Sequence, residues 1–326
     1  MSALPMRVLG TGVYHPGEAV SNHEWLARSP GLVTPENVQA VTGIVSRHVA
    51  GPDETVASMA FEAARGALAQ AGLPPGALGR VILTCSHGGD RRGPATVNAV
   101  MDLLGATCGA FDLNNGCHGF LSALDVGARF VATGEGPVLI VASELITRDL
   151  LNPEDRRTFP LFGDGAAAVV IGAPAGSGAL LSSVHLQRGD LMQAIYAPSV
   201  SDPHEPKNRV HFSTNGQLIR SLVEELLPQV IDAALAQAGL TLAQIQWVAP
   251  HQPNGVWLER LIVRLNLPSA RVPRVVHRTA NVPSAMVPFG LHELLHRAEG
   301  PKSGDHVLMM AIGAGVAYGA AVLRVD

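Results

Sequence analysis

Long apolar runs alternate along the chain with segments in which apolar residues recur at helical spacing. In the first half the runs are RVILTCS near 80–86, GPVLIVASE near 136–144 and GAAAVVIGA near 165–173. Uninterrupted apolar runs of this length are typical of strands that are buried on both faces. The pattern therefore predicts an α/β protein whose sheet is covered by helices.

A second set of runs follows in the same order. It comprises IQWVAPHQ near 245–252, DHVLMMAIG near 305–313 and GAAVLRV near 319–325. Because the order repeats, we expect two copies of one layered unit, residues 1–174 and residues 175–326. Placed side by side, two such units would form five layers of helices and sheets.

The stretch Val307–Leu323 carries no charged residue and has to be distinguished from a membrane span. It is short for a span, and Gly313, Gly315 and Gly319 interrupt it. The sequence therefore predicts two buried strands joined by a GAG turn, and no contact with a membrane. The first residues, MSALPMRVLG, show no secretory signal pattern.

Composition narrows the class of protein further. The chain has 326 residues, a formal net charge of −4 and no cluster of basic residues, so we do not expect a nucleic-acid partner. Its three cysteines lack C-x-x-C spacing, which favours reduced thiols in the cytoplasm. Complete dinucleotide loops, Walker loops and metal-ligand spacings are missing from the sequence, so we expect neither a cofactor nor a metal.

Cys117 is the first candidate for chemistry. It lies in DLNNGCHGFLSALDVGARF, where apolar residues at helical spacing begin directly after it, so we expect it at the start of a helix. Free backbone N–H groups there stabilise a thiolate by up to about 2 kcal/mol, which lowers the pKa by roughly 1.5 units. The alternative is a small buried residue in a tight turn, which is how we interpret Cys85 and Cys108.

His251 and Asn281 are the other candidates. Both lie where an apolar run gives way to a helical pattern, and ligands of open α/β units bind beyond the carboxyl ends of strands. Considered alone, His251 is more simply an ordinary loop histidine, and Asn281 is most simply a helix cap. The internal repeat places Asn281 where Cys117 stands in the first unit, so both would face one cleft.

Four motifs carry a resemblance to a known family. LFGDGAAAVVIGA (161–173), HQPN, ANVPSAMVP and AIGAGVAYGAAVLRV resemble, in this order, the signature segments of the thiolase-like condensing enzymes. Within that group the chain is most similar to the β-ketoacyl-acyl-carrier-protein synthase III enzymes, over essentially its whole length. The resemblance implies a duplicated thiolase fold with five αβαβα layers, and a homodimer.

The resemblance also implies roles for individual residues. Cys117 would be the acylated nucleophile, while His251 and Asn281 would hydrogen-bond the carbonyl of a malonyl thioester. Backbone N–H groups of Cys117 and Ala314 would form the oxyanion hole, and the Gly313–Gly315 turn would line the substrate site. His118 departs from the family pattern C-[AS]-G-F, either as a surface residue or as one that alters the second half-reaction.

Two further departures concern the substrate. Asn37 stands where family members have a tryptophan that stacks on the adenine of coenzyme A, although Arg156 matches the arginine on the opposite side. This favours a carrier protein over coenzyme A as the acyl donor. Gly93 replaces a residue that is often phenylalanine and reaches into the acyl tunnel of the partner subunit, so we expect an acyl group bulkier than acetyl.

The predicted function is therefore a decarboxylative Claisen condensation in a specialised polyketide or fatty-acid-derived pathway. The expected partners are an acyl thioester, on a carrier protein or coenzyme A, and a malonyl-type thioester. Two alternatives stay open at this point. The acyl group on Cys117 could pass to an alcohol or amine, or the chain could be a non-catalytic partner subunit of a condensing complex.

Overall fold

The computed structural model describes residues 3–148, 150–196, 211–212 and 216–326. In this part of the chain the strands are β1 Leu4–Pro5, β2 Arg7–Tyr14, β3 Val20–Ser21, β4 Ser46–Arg47, β5 Arg80–Thr84, β6 Gly109–Leu113, β7 Val138–Glu144, β8 Gly165–Gly172, β9 Ala179–Gln187, β10 Ile195–Tyr196, β11 His211–Phe212, β12 Trp247–Pro250, β13 His306–Ile312 and β14 Ala317–Arg324. The helices are α1 Asn22–Leu26, α2 Pro35–Thr42, α3 Val56–Ala71, α4 Val97–Leu104, α5 Gly119–Ala132, α6 Gly216–Ala238, α7 Gly255–Arg264, α8 Val276–Thr279 and α9 Met286–Leu295.

Two five-stranded sheets repeat one topology. The first has the order β2-β8-β7-β5-β6 and the second the order β1-β9-β14-β13-β12. In the first sheet β5 and β7 are parallel, while β8 runs antiparallel to β7 and β2. The strands β12, β13, β14 and β9 repeat these relations in the second sheet. Four strands of each sheet therefore share one topology, which agrees with the predicted internal duplication.

Helices cover both faces of each sheet, as the apolar runs predict. Every residue of β7 and β8 is buried. The helices α5 and α9 lie between the two sheets, where residues such as Phe120 and Leu291 pack in one core with strand residues from both sheets. The helices α3 and α4 cover the outer face of the first sheet, and α6 and α7 cover that of the second. The result is the five-layered αβαβα arrangement.

The chain passes from the first sheet to the second between Gly172 and Ala179. One short segment crosses back, because Leu4 and Pro5 of β1 pair with β9 of the second sheet. The uncharged stretch near the C-terminus forms β13 and β14, which are antiparallel and joined by the turn Ala314–Val316, so that prediction is confirmed. Among the described helices, none is both long and apolar enough to cross a bilayer.

The glycines of the GTGVYHPG segment serve packing. Gly12 lies in β2, where an added Cβ would come within 2.2 Å of the carbonyl oxygen of Ala63 in α3. Gly10 also lies in β2, and a Cβ added there would come within 2.3 Å of the carbonyl oxygen of Ala67, one turn further along α3. These glycines therefore let α3 lie directly on the sheet.

Candidate active site

Cys117 lies in a single 3-10 turn, Gly116–His118, between β6 and α5. Gly116 has a φ of +53°, a left-handed conformation that favours glycine. On the other side, a Cβ added to Gly313 would lie 2.7 Å from the Cβ of Cys117. Gly116 and Gly313 therefore let the turn after β13 approach the turn of Cys117 closely.

A cavity of about 430 Å³ opens at Cys117. Its wall includes His251, Asn281, Gly313 and Ala314, and most of the remaining lining is apolar. The structure thus brings together the three side chains that the sequence singled out, from loops of both sheets. A largely apolar cavity with a few convergent polar groups is the usual form of a small-molecule site.

His251 follows β12 directly, and its backbone N–H donates to the carbonyl of Met310 at 2.8 Å. The side chain is buried, and burial lowers its pKa to about 4, so the imidazole is neutral at physiological pH. Its Nδ1 has no hydrogen-bond partner among the residues that the structure describes. Buried polar atoms are nearly always paired. The unpaired Nδ1 therefore indicates that this imidazole is available to bind a ligand.

Asn281 is fixed by its backbone to the glycine-rich segment before β8. Its N–H donates to the carbonyl of Leu161 at 3.0 Å, and its carbonyl accepts from Gly163 at 3.1 Å. The preceding Ala280 has a φ of +54°, a strained conformation for a residue with a Cβ. The interpretation of Asn281 as a helix cap is wrong, because α9 begins only at Met286.

The amide oxygen of Asn281 is the second unpaired polar atom of the cavity. Asn281 is 3% exposed, and its Oδ1 meets no hydrogen-bonding group in the described part of the chain. Together with the Nδ1 of His251, it is an unpaired buried atom on a residue that lines the cavity of Cys117. An unpaired buried polar group costs about 1–3 kcal/mol, which a polar ligand would offset.

The expectation of a lowered pKa for Cys117 is wrong. Burial raises the pKa of Cys117 to about 12, and the nearby carboxylate of Glu144 acts in the same direction. Hydrogen bonding from the backbone N–H groups of Ala314 and of Cys117 itself lowers the pKa, but by less. Desolvation of the charged form outweighs the helix start here, so Cys117 is a thiol at neutral pH.

Glu144 is a site residue that the sequence reasoning missed. It ends β7 and is fully buried, where one carboxylate oxygen accepts from the N–H of Ser284 at 3.0 Å and from its hydroxyl at 2.5 Å. The carboxylate also accepts from the N–H of Ser86 at 3.0 Å and from its hydroxyl at 2.7 Å. It thereby joins the loop after β5 to the turn after Asn281. A charged residue that closes the apolar run GPVLIVASE was the available signal.

Cys85 and His87 lie next to this carboxylate. Their ligand atoms and those of Glu144 lie within 4.8 Å of one another, but both carboxylate oxygens already accept from serine donors. Cys85 is buried and its pKa is raised well above the ordinary value by burial, which confirms its interpretation as a packing residue. Cys108 is partly exposed.

The remaining predicted residues differ in whether they line the cavity of Cys117. Asn37 of α2 and Arg156 are exposed and line the same cavity. Gly93 is exposed and lies apart from the lining of this cavity, and within the described residues an added Cβ there would meet no atom within 4 Å. His118 is 1% exposed, so its interpretation as a surface residue is wrong.

Fold and site together define a thiolase-fold protein whose two halves meet at a cysteine-containing cavity. Family models agree. Residues 111–189 match the model for 3-oxoacyl-[acyl-carrier-protein (ACP)] synthase III, and residues 235–325 match the model for the C-terminal part of the same enzymes.

Curated proteins and solved structures match over the full length. The chain is 34% identical to the acetoacetyl CoA synthase NphT7 of Streptomyces sp. (strain CL190), covering 99% of this chain and 100% of that protein. It is 34% identical to the β-ketoacyl-[acyl-carrier-protein] synthase III of Methylococcus capsulatus, covering 98% of each. Among solved structures, the 3-oxoacyl-[acyl-carrier-protein] synthase III of Aquifex aeolicus VF5 superposes with a TM-score of 0.90 at 30% identity, covering 98% of this chain and 99% of that one.

A structure of the priming β-ketosynthase from the R1128 polyketide biosynthetic pathway is also similar, with a TM-score of 0.88, 33% identity and coverage of 100% of this chain and 98% of that one. The chain therefore belongs to the β-ketoacyl-acyl-carrier-protein synthase III family. It is a condensing enzyme of that type, an acyltransferase with the thiolase fold.

Proposed function

We propose that the protein loads an acyl group onto Cys117 and condenses it with a malonyl-type thioester, with loss of carbon dioxide. The observation that carries this proposal is the convergence of Cys117, His251 and Asn281 on one mostly apolar cavity that is lined from both halves of the chain. A thioester carbonyl accepts hydrogen bonds, so the donors to it here are a ring N–H of His251 and the side-chain N–H groups of Asn281.

In the first half-reaction the sulfur of Cys117 attacks the carbonyl carbon of the acyl thioester. A carbon–sulfur bond forms to Cys117, the bond to the donor sulfur breaks, and the thiol proton leaves with the donor as its free thiol. The backbone N–H groups of Cys117 and Ala314 bind the oxyanion of the tetrahedral intermediate. Both N–H groups lower the pKa of the Cys117 thiol, which supports this assignment, and such a donor pair is worth about 3–4 kcal/mol.

In the second half-reaction the malonyl thioester loses carbon dioxide. The side chains of His251 and Asn281 hydrogen-bond its thioester carbonyl and stabilise the enolate that forms. The enolate carbon attacks the acyl carbonyl, the bond to Cys117 breaks, its sulfur takes up a proton from water, and a β-ketoacyl thioester leaves. Because burial keeps His251 neutral, it stabilises the enolate without delivering a proton to it early.

The acyl group is bulkier than acetyl in this proposal. The cavity is mostly apolar, and Gly93 leaves open the space that a phenylalanine of the partner subunit often fills in the family. The donor is an acyl carrier protein, because Asn37, which lines the cavity together with Arg156, provides no aromatic ring where family members stack a tryptophan on coenzyme A. A specialised polyketide or fatty-acid-derived pathway fits the two relatives named for acetoacetyl CoA synthesis and polyketide priming.

We further propose the assembly and compartment. The units are residues 1–174 and 175–326, apart from the β1 strand that pairs across them. The enzyme is a homodimer, since Gly93 lies apart from the lining of its own cavity and acts on a partner's. A cytoplasmic location is supported by the three free cysteines.

Mass spectrometry of the intact protein tests the function. Incubation with an acyl thioester is expected to add one acyl group to Cys117, and addition of malonyl thioester is expected to remove it with release of one carbon dioxide per turnover. Discharge by an alcohol or amine instead would identify an acyltransferase without condensation. An unmodified Cys117 would point to the non-catalytic subunit and contradict the proposal.

A further inference from the structure

His118, the residue after Cys117, begins a chain of hydrogen bonds that runs to β9. Its Nε2 lies 2.7 Å from the Nδ1 of His185, and the Nε2 of His185 lies 2.6 Å from the hydroxyl of Ser183. His185 and Ser183 both belong to β9 in the second sheet. We call these three residues the His118 chain.

The His118 chain ends on the strands that support the turn of Ala314. His185 is the cross-strand partner of Gly319 in β14, the strand that begins directly after the turn Ala314–Val316. The His118 ring lies against Gly319, where an added Cβ would come within 2.6 Å of its Cε1. The residue next to the nucleophile is therefore fastened to the same strand pair that supports Ala314.

We propose that His118, through His185 and Ser183, is a positioning residue that holds Cys117 against the backbone N–H of Ala314 and so sets the geometry of the oxyanion hole. The inference rests on the proposed function. The two donors of this hole come from different halves of the chain, so their spacing depends on contacts between the halves. A buried hydrogen-bonded chain one residue from the nucleophile fixes that spacing.

The two rings supply hydrogen bonds and no charge. Burial lowers the pKa of His118 to about 3 and also lowers that of His185. The groups that influence the pKa of His118 are His185, the backbone of Ala311 and His251, and those that influence the pKa of His185 are Asp125 and Arg129. Because both rings stay neutral, a substitution at His118 changes geometry and leaves the charge of the site unaltered.

Two substitutions of similar size distinguish loss of the hydrogen bond to His185 from loss of the imidazole ring of His118. In His118→Gln the amide reaches the position of Nε2 and keeps the contact with His185, whereas the shorter side chain of His118→Asn reaches only the position of Nδ1. We expect His118→Asn to lower kcat by about 10- to 100-fold, as misplacement of reacting groups does. The KM for the acyl thioester should stay within about twofold, because the substrate cavity is unaltered. His118→Gln should stay within about threefold of wild type in both parameters.

A second readout is independent of turnover. The N–H of Ala314 favours the thiolate of Cys117, so alkylation of Cys117 by iodoacetamide at one fixed pH should slow in His118→Asn and not in His118→Gln. Equal kcat and equal alkylation rates in the two variants, whether both normal or both reduced, would overturn the inference. If His118→Asn does not fold, Ser183→Ala replaces it. A several-fold lower kcat with unchanged KM then supports the chain, and a normal kcat overturns it.

The same experiment separates this inference from the proposed function. A wild-type protein that forms no acyl adduct on Cys117 would contradict the proposed function. The alkylation comparison between the Asn and Gln variants would still decide whether the His118 chain positions the cysteine.

Discussion

The backbone N–H of Ala314 acts on the sulfur of Cys117, although the two residues belong to different halves of the duplicated fold. The contact depends on glycine at 313, where an added Cβ would lie 2.7 Å from the Cβ of Cys117, and on glycine at 116, whose φ of +53° favours glycine. The fold duplication thus produces a site that neither half contains alone.

The pH profile of the nucleophile is the first prediction. Burial raises the pKa of Cys117 to about 12, so the thiolate fraction grows about tenfold per pH unit throughout the range below it. The rate of alkylation of Cys117 by iodoacetamide should therefore keep rising from pH 7 to pH 10. Cys117→Ser, which retains Cys85 and Cys108, gives the background rate. A plateau near pH 7 would show that the helix start dominates after all.

Gly93 is predicted to set the acyl chain length. Gly93→Phe should lower kcat/KM for a branched or medium-chain acyl thioester by about tenfold or more relative to acetyl, because the new ring fills apolar space in the partner's site. Gly76→Phe is the matched control, since an added Cβ at either glycine meets no described atom within 4 Å. An unchanged chain-length preference in a competition assay would contradict the assignment of Gly93.

Asn37 is predicted to weaken recognition of coenzyme A. Restoring an aromatic ring with Asn37→Trp should lower the KM for acyl-CoA by about 5- to 10-fold, the value of one stacked base. The acyl-pantetheine thioester lacks the adenine, so its KM should not change. If the KM for acyl-CoA and the KM for the acyl-pantetheine thioester fell together, the new ring would be acting on the part that both donors share. The stacking explanation would then be wrong.

Glu144 is predicted to hold two site loops together. Glu144→Gln places an amide against the donors of Ser86 and Ser284, which should lower the free energy of unfolding by about 2–3 kcal/mol. Glu62→Gln removes a partly exposed ion pair with Arg65 and should cost less than about 1 kcal/mol. Denaturant unfolding of the two variants measures the difference, and equal losses would count against the role of Glu144.

The sequence identified the parts of the molecule that follow from local pattern. The apolar runs predicted β7 and β8 because both faces of those strands are buried, and the position of Cys117, His251 and Asn281 after strands or before helical patterns predicted their convergence. Such signals need no knowledge of distant neighbours.

Other properties depend on contacts that no local pattern records. The pKa of Cys117 rises because the sulfur is enclosed near Glu144. Glu144 lies 27 residues further along the chain, at the end of β7, and β5 separates β7 from β6 in the sheet. His118 is buried because its ring hydrogen-bonds to His185 and packs against Gly319, and both residues belong to the other half of the chain. Desolvation and inter-half packing are tertiary effects, so the sequence could not decide them.

Separation of the two half-reactions tests the central claim most directly. Acyl-Cys117 is formed in wild type, His251→Ala and Asn281→Ala, and its discharge by malonyl thioester is followed in a single turnover. The account predicts that both variants acylate Cys117 at close to the wild-type rate and condense about 10²- to 10³-fold more slowly. Condensation at the wild-type rate in either variant would contradict it.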